Sequence, residues 1–121
     1  MSQSGSSIAT PPLSKVRRAG NLLFLSGQLP RNAAGEVVQG GIEVQTRQVL
    51  SNIAEVLSSQ GAGLGQVVKV TAWLTDAAFF SGFNKAYMEF FQEPYPARST
   101  VVSALVMPGA NLEIEVVAVL D

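Results

Sequence analysis

Two short segments near the C-terminal end carry the residue types that could do chemistry. Pro94-Tyr95-Pro96-Ala97-Arg98-Ser99-Thr100-Val101 sets a lone arginine at the head of an apolar strand, after prolines that force an extended entry. Leu112-Glu113-Ile114-Glu115-Val116 sets two carboxylates on one face of a strand that is otherwise apolar. Charged side chains in such strands are costly unless they are paired or employed. A guanidinium fork suits a carboxylate, and a half-buried glutamate suits a proton. The two segments therefore describe a small site for an acidic substrate. Arg98 could instead form a salt bridge to Glu113 or Glu115, and either glutamate could pair with Lys69. If the last two strands formed a tight hairpin, Arg98 and Glu113 would stand roughly 12–15 Å apart. Convergence then requires another strand order or a second subunit.

The absences narrow the chemistry. The 121-residue chain has no cysteine and no histidine. A thiolate nucleophile, the commonest general base and the commonest zinc ligand are all missing. Acid–base work falls to nine carboxylates, the tyrosines, the lysines or bound water, and no metal or cofactor is implied. A formal net charge of −1 provides no basic field for nucleic acid, and Lys15, Arg17 and Arg18 read as a solvated strand end. The polar start Met1-Ser2-Gln3-Ser4-Gly5-Ser6-Ser7 is neither a signal peptide nor an anchor. No stretch is long enough to span a membrane, so a cytoplasmic protein is expected.

Behind the two segments stand the elements that must position them. Residues 1–12 read as a flexible arm, and residues 13–121 as a single domain. Strands are expected at Val16–Ala19 and Leu22–Gln28. Ile42, Val49, Leu50, Ile53, Val56 and Leu57 have helical spacing between Gly41 and Gln60, with a stop at Gly61-Ala62-Gly63. Val67–Thr75 is β-rich. Asp76 can cap a second helix running to Phe91, with Phe79, Phe80, Phe83, Tyr87 and Phe91 on one stripe. Ala97–Leu105 and Leu112–Leu120 are the last strands. The order β-β-α-β-α-β-β with right-handed crossovers sets both helices on one face of a mixed sheet, an α+β fold. Alternation turns Val68, Val70, Ala72 and Leu74 toward the helices and Lys69, Thr71, Trp73 and Thr75 away. Glu113, Glu115, Val117 and Val119 likewise separate from their neighbours on the last strand. The uncovered face mixes Trp73 and valines with charges. In a chain that is 47% hydrophobic and 14% charged, this predicts a subunit interface enclosing polar groups.

Several motifs carry a family likeness over about Leu13 to Val119. They are Ala19-Gly20-Asn21-Leu22-Leu23-Phe24-Leu25-Ser26-Gly27-Gln28-Leu29-Pro30, Gln45-Thr46-Arg47-Gln48-Val49-Leu50-Ser51-Asn52-Ile53 and Val68-Lys69-Val70-Thr71. Phe83-Asn84-Lys85-Ala86-Tyr87, Pro96-Ala97-Arg98-Ser99 and Glu113-Ile114-Glu115 follow. With these the chain resembles the RidA/YjgF family of enamine/imine deaminases. The resemblance implies a chorismate-mutase-like fold and a homotrimer around a β-barrel-like core, with sites in the clefts between subunits. It implies a hydrolase of the 2-iminobutanoate/2-iminopropanoate deaminase type that turns small 2-imino acids into 2-keto acids and ammonia without a cofactor. By the same resemblance Arg98 clamps the substrate carboxylate and Glu113 positions or activates water. Ser26 and Gly27 line the pocket, and Asn84 reaches the neighbouring site. The family's usual site tyrosine aligns with Leu13, and its common cysteine with Thr100, a small polar pocket residue. A non-catalytic small-molecule or protein-binding trimer of the same fold is the alternative. A nuclease would need a basic aromatic groove. A chorismate mutase would need several cations in one cleft, and only Arg98 is so placed.

Overall fold

A computed structural model of the protein describes residues 10–121. The strands are β1 (Val16–Ala19), β2 (Leu22–Leu25), β3 (Val67–Leu74), β4 (Ala97–Val102) and β5 (Leu112–Val119). The helices are α1 (Ile42–Ser59) and α2 (Phe80–Tyr87), each accompanied by a short 3₁₀ turn, Leu64–Gln66 and Ala77–Phe79. Most of the expected arm lies outside the described residues. Thr10–Pro12, its described part, are exposed and have no regular structure.

Helix α1 follows its apolar spacing, burying Val49, Leu50, Ile53 and Leu57 against the sheet. It stops at a left-handed Gly61 (φ 75°). There Ala62 N–H donates to the Leu57 carbonyl and Gly61 N–H to the Ser58 carbonyl, closing the orphan acceptors. Asp76 accepts from Ala78 N–H at 2.8 Å and opens the turn into α2. Helix α2 is shorter than the spacing predicts. Beyond Tyr87 the chain makes tighter three-residue bonds, Glu89 to Ala86 and Phe90 to Tyr87. Pro94 then disfavours helix in the residues before it. Phe91 nevertheless stays in the core.

The sheet order is β1-β2-β5-β3-β4, with β3 and β4 parallel and every other pair antiparallel. The last strand is central and β4 is an edge. Both helices share one core cluster with Leu23, Val70, Ala72, Leu74, Leu112, Ile114, Val116 and Ala118. The predicted alternation holds along β5 and from Val70 to Leu74, but Val68 departs from it. A bulge between Val67 and Lys69 leaves Val68 exposed and buries Val67 instead. Two strands end earlier than expected. Past Leu25, Ser26 N–H turns to the Lys15 carbonyl, and only Gln28 rejoins β5, opposite Ile114. Past Val102, β4 loses its partner because β3 ends at Leu74.

The other sheet face carries Phe24, Trp73, Val101, Val117 and Val119 with Thr71, Glu113 and Glu115, and Lys69 Nζ donates to Ser99 Oγ at 2.9 Å. No helix of the described residues is long and apolar enough to cross a membrane.

Candidate active site

Glu113 sits on the uncovered face of β5, between the buried neighbours Leu112 and Ile114. Its carboxylate arches over Gly27, which the Gln28–Ile114 bridge holds against β5. A Cβ built on Gly27 would collide with Glu113 Oε2 and stand 2.9 Å from Cδ. A side chain at this position would have to push the Glu113 carboxylate aside. Partial burial, and secondarily the Glu115 charge, push the Glu113 carboxyl above the usual carboxylate range. Among the described residues no side chain hydrogen-bonds or ion-pairs with it. Ser26 beside Gly27 donates its hydroxyl to the Ser14 carbonyl at 2.6 Å, pinning the segment before β1. Leu13, Ser26 and Glu115 share an open concavity of about 590 Å³.

Arg98 lies on the helix-covered side at the β4 edge, opposite Val70. Its guanidinium stacks near the rings of Phe80, Phe83 and Tyr87. No carboxylate of the described residues comes within ion-pair distance, so the alternative salt bridge to Glu113 or Glu115 does not form within the chain. Asn84 and Tyr87 border the same cavity of about 430 Å³ as Arg98, walled by Met88, Tyr95 and Pro96. The Asn84 side chain has no hydrogen-bond partner among the described residues, so the helix-to-backbone bond that would make it merely structural is absent. Thr100 is two residues along β4 from Arg98, opposite Ala72 and on the same face.

The predicted residues thus assemble as two half-sites. Ser26, Gly27 and Glu113 make up one; Asn84 and Arg98, which border one cavity, make up the other, with Thr100 two residues along β4 on the same face but outside that cavity. Strand β3 lies between Arg98 and Glu113, whose Cα atoms stand about 14 Å apart by strand spacing and rise. More decisively, their side chains leave opposite faces of the sheet. The changed strand order does not bring them together in one chain. Among the described residues no group of three or more His, Cys, Asp or Glu could hold a metal ion.

The family model described as Endoribonuclease L-PSP matches residues 5–120. The chain belongs to this family, the YjgF/RidA family. A RutC family protein of Pyrococcus horikoshii is 43% identical over 108 residues, 88% of this chain and 86% of the relative. A goat (Capra hircus) protein named 2-iminobutanoate/2-iminopropanoate deaminase is 37% identical over 112 residues, 92% of this chain and 82% of that protein. The crystal structure of YyfA from Yersinia pestis, a Rid family protein, superposes with a TM-score of 0.86 at 42% identity, covering 93% of this chain and 90% of that one. The mixed sheet with its two helices is therefore the YjgF/RidA fold, the chorismate-mutase-like arrangement that the resemblance implies.

Tyr87 is the neighbour of Arg98 that sequence reading assigns to packing alone. It is buried in the core as expected, and among the described residues its hydroxyl makes no hydrogen bond of standard geometry, though it lies close to the Arg98 guanidinium. Burial raises its pKa, and the nearby Arg98 charge works against the rise. The only advance signal was a phenol on a phenylalanine stripe. Arg47 lies on the solvated face of α1 and binds Glu89 through two exposed 2.9 Å contacts, which tie α1 to the turn after α2.

Proposed function

We propose that the protein hydrolyses small 2-imino acids, derived from 2-aminoacrylate-type enamines, to 2-keto acids and ammonia. It works as a homotrimer in which Arg98 of one copy faces Glu113 of the next. Arg98 takes the substrate carboxylate through a two-pronged contact. Glu113 takes a proton from water as the water oxygen attacks the imine carbon. That proton passes to nitrogen, giving a carbinolamine; Glu113 then carries the new hydroxyl's proton to nitrogen as well, the C–N bond breaks, and ammonia leaves as the carbonyl forms. Ser26 and Gly27 line the water side, and Asn84 and Thr100 line the carboxylate side. Imines hydrolyse unaided, so holding the acid and aiming the water supplies the acceleration.

The observation that carries this reading is the separation of the two half-sites. Among the described residues neither Arg98 nor Glu113 has an ion-pair partner, and the two lie on opposite faces of one sheet, an arrangement that a neighbouring copy would complete. The name of the goat relative supports the substrate class. Pyridoxal-phosphate dehydratases, which release such enamines, would supply the substrate, a metabolic and not a physical link, and we assign the protein to the cytoplasm. The family description names an endoribonuclease, but a net charge of −1 gives RNA little to hold.

A second reading, a binding trimer without catalysis, is favoured by Leu13. It stands on the Ser26 concavity without a tyrosine's hydroxyl. The deciding experiment generates 2-iminopropionate in situ and follows its loss. Deamination predicts decay faster than in buffer alone, with pyruvate as product. Decay at the buffer rate would leave the binding reading.

A further inference from the structure

Arg98 is held in an unusual way. Its guanidinium carbon lies 4.8 Å from the Tyr87 ring centroid, 5.1 Å from that of Phe83 and 5.7 Å from that of Phe80. These rings fall three and four residues apart, so one helical stripe presents them together. An arginine at a strand edge ordinarily finds a carboxylate or reaches into water. Either partner would occupy its N–H groups. Aromatic faces attract the cation through their quadrupoles and consume no donors. The guanidinium is thus fixed among the rings, and among the described residues no carboxylate takes its N–H groups where it borders the cavity shared with Asn84.

We infer that Phe80, Phe83 and Tyr87 form an aromatic cradle that positions Arg98 for an incoming carboxylate. This rests on the reading of Arg98 as the carboxylate clamp. The cradle acts through ring faces, so Phe80, Phe83 and Tyr87 are positioning residues. Phe83 is fully buried and would report on folding, whereas Phe80 is 45% exposed and can be changed with little risk to the core. Tyr87 separates ring from hydroxyl, because removing its buried oxygen leaves the ring face beside Arg98 in place.

The test is a double-mutant cycle on pyruvate binding, followed by titration in the assembled protein. Arg98→Ala should weaken pyruvate more than about tenfold. Phe80→Leu should weaken it about threefold, raising KM with kcat unchanged. In an Arg98→Ala background the same Phe80→Leu change should have no further effect, since no cation remains to be positioned. Phe80→Tyr should restore affinity, and Tyr87→Phe should keep it. Unchanged binding in Arg98→Ala would overturn the clamp itself. A clamp that survives while Phe80→Leu is neutral, or equally harmful with and without Arg98, would overturn the cradle alone. A large loss in Tyr87→Phe would assign the work to the hydroxyl and also overturn it.

Discussion

Glu113 and Gly27 act as one unit, since the carboxylate occupies the space where any larger residue would place its Cβ. Gly27→Ala should displace the carboxylate and lower kcat by about 100-fold, the scale of a misplaced reacting group, with little effect on pyruvate binding. Glu113→Gln should also reduce turnover by about 100-fold or more while keeping affinity, because glutamine preserves shape but accepts no proton. The pH dependence follows from the direction of the shift. Burial first, and the Glu115 charge second, raise the Glu113 carboxyl above its ordinary 4.5. The fold therefore favours its protonated form. That contribution to stability is present at pH below 4.5 and is lost as pH rises through the higher folded value. Catalysis runs the other way, since only the ionised form accepts a proton. The acid limb of the kcat/KM profile should accordingly lie above pH 4.5. Glu115→Gln removes the smaller cause, so it should move that limb to lower pH while leaving the plateau nearly intact. A limb that stays fixed in Glu115→Gln would mean another group controls it.

Among the elements, α1 does more than cover the sheet. Gln45 is almost fully buried, donates to the Val38 and Gly109 carbonyls at 3.0 Å each, and accepts from Asn111 N–H at 2.7 Å. One side chain thus ties the loop before α1 to the loop that leads into β5 and Glu113. Gln45→Leu keeps the volume but removes the partner of one donor and two acceptors that are only partly shielded from water. Urea denaturation should show a loss of about 1–3 kcal/mol. Periodicity made α1 and the two faces of β5 legible, because each depends only on neighbours along the chain. The end of α2 was less legible, since an apolar stripe continues to Phe91 while the backbone tightens after Tyr87. The Val68 bulge was invisible for a similar reason, being set by the pairing of β3 with β5 and not by any residue in β3. Tyr87 read correctly as core, but its approach to Arg98 depends on where β4 docks, which local pattern does not encode.

At the scale of the whole molecule, local pattern identified the uncovered sheet face but not the strand order. Inserting β3 between β4 and β5 is a long-range choice, and it separates Arg98 from Glu113. The family motifs imply a site shared between subunits, and the strand order agrees with that in holding Arg98 and Glu113 on opposite faces of one chain's sheet. This makes the assembly itself testable through subunit mixing. Arg98→Ala and Glu113→Gln should each be nearly inactive alone. After unfolding and refolding together in equal amounts, an intact site forms wherever the intact Arg98 of a Glu113→Gln copy meets the intact Glu113 of an Arg98→Ala copy. In a closed ring with directional contacts, random mixing makes about one quarter of the sites complete. Activity should therefore recover to about a quarter of that of the unmutated protein refolded in parallel. If each site were built within a single chain, no mixture could restore it, and activity would remain at the level of the separate variants. Light scattering on the same sample provides the control, since recovery should be confined to the fraction with the mass of three chains.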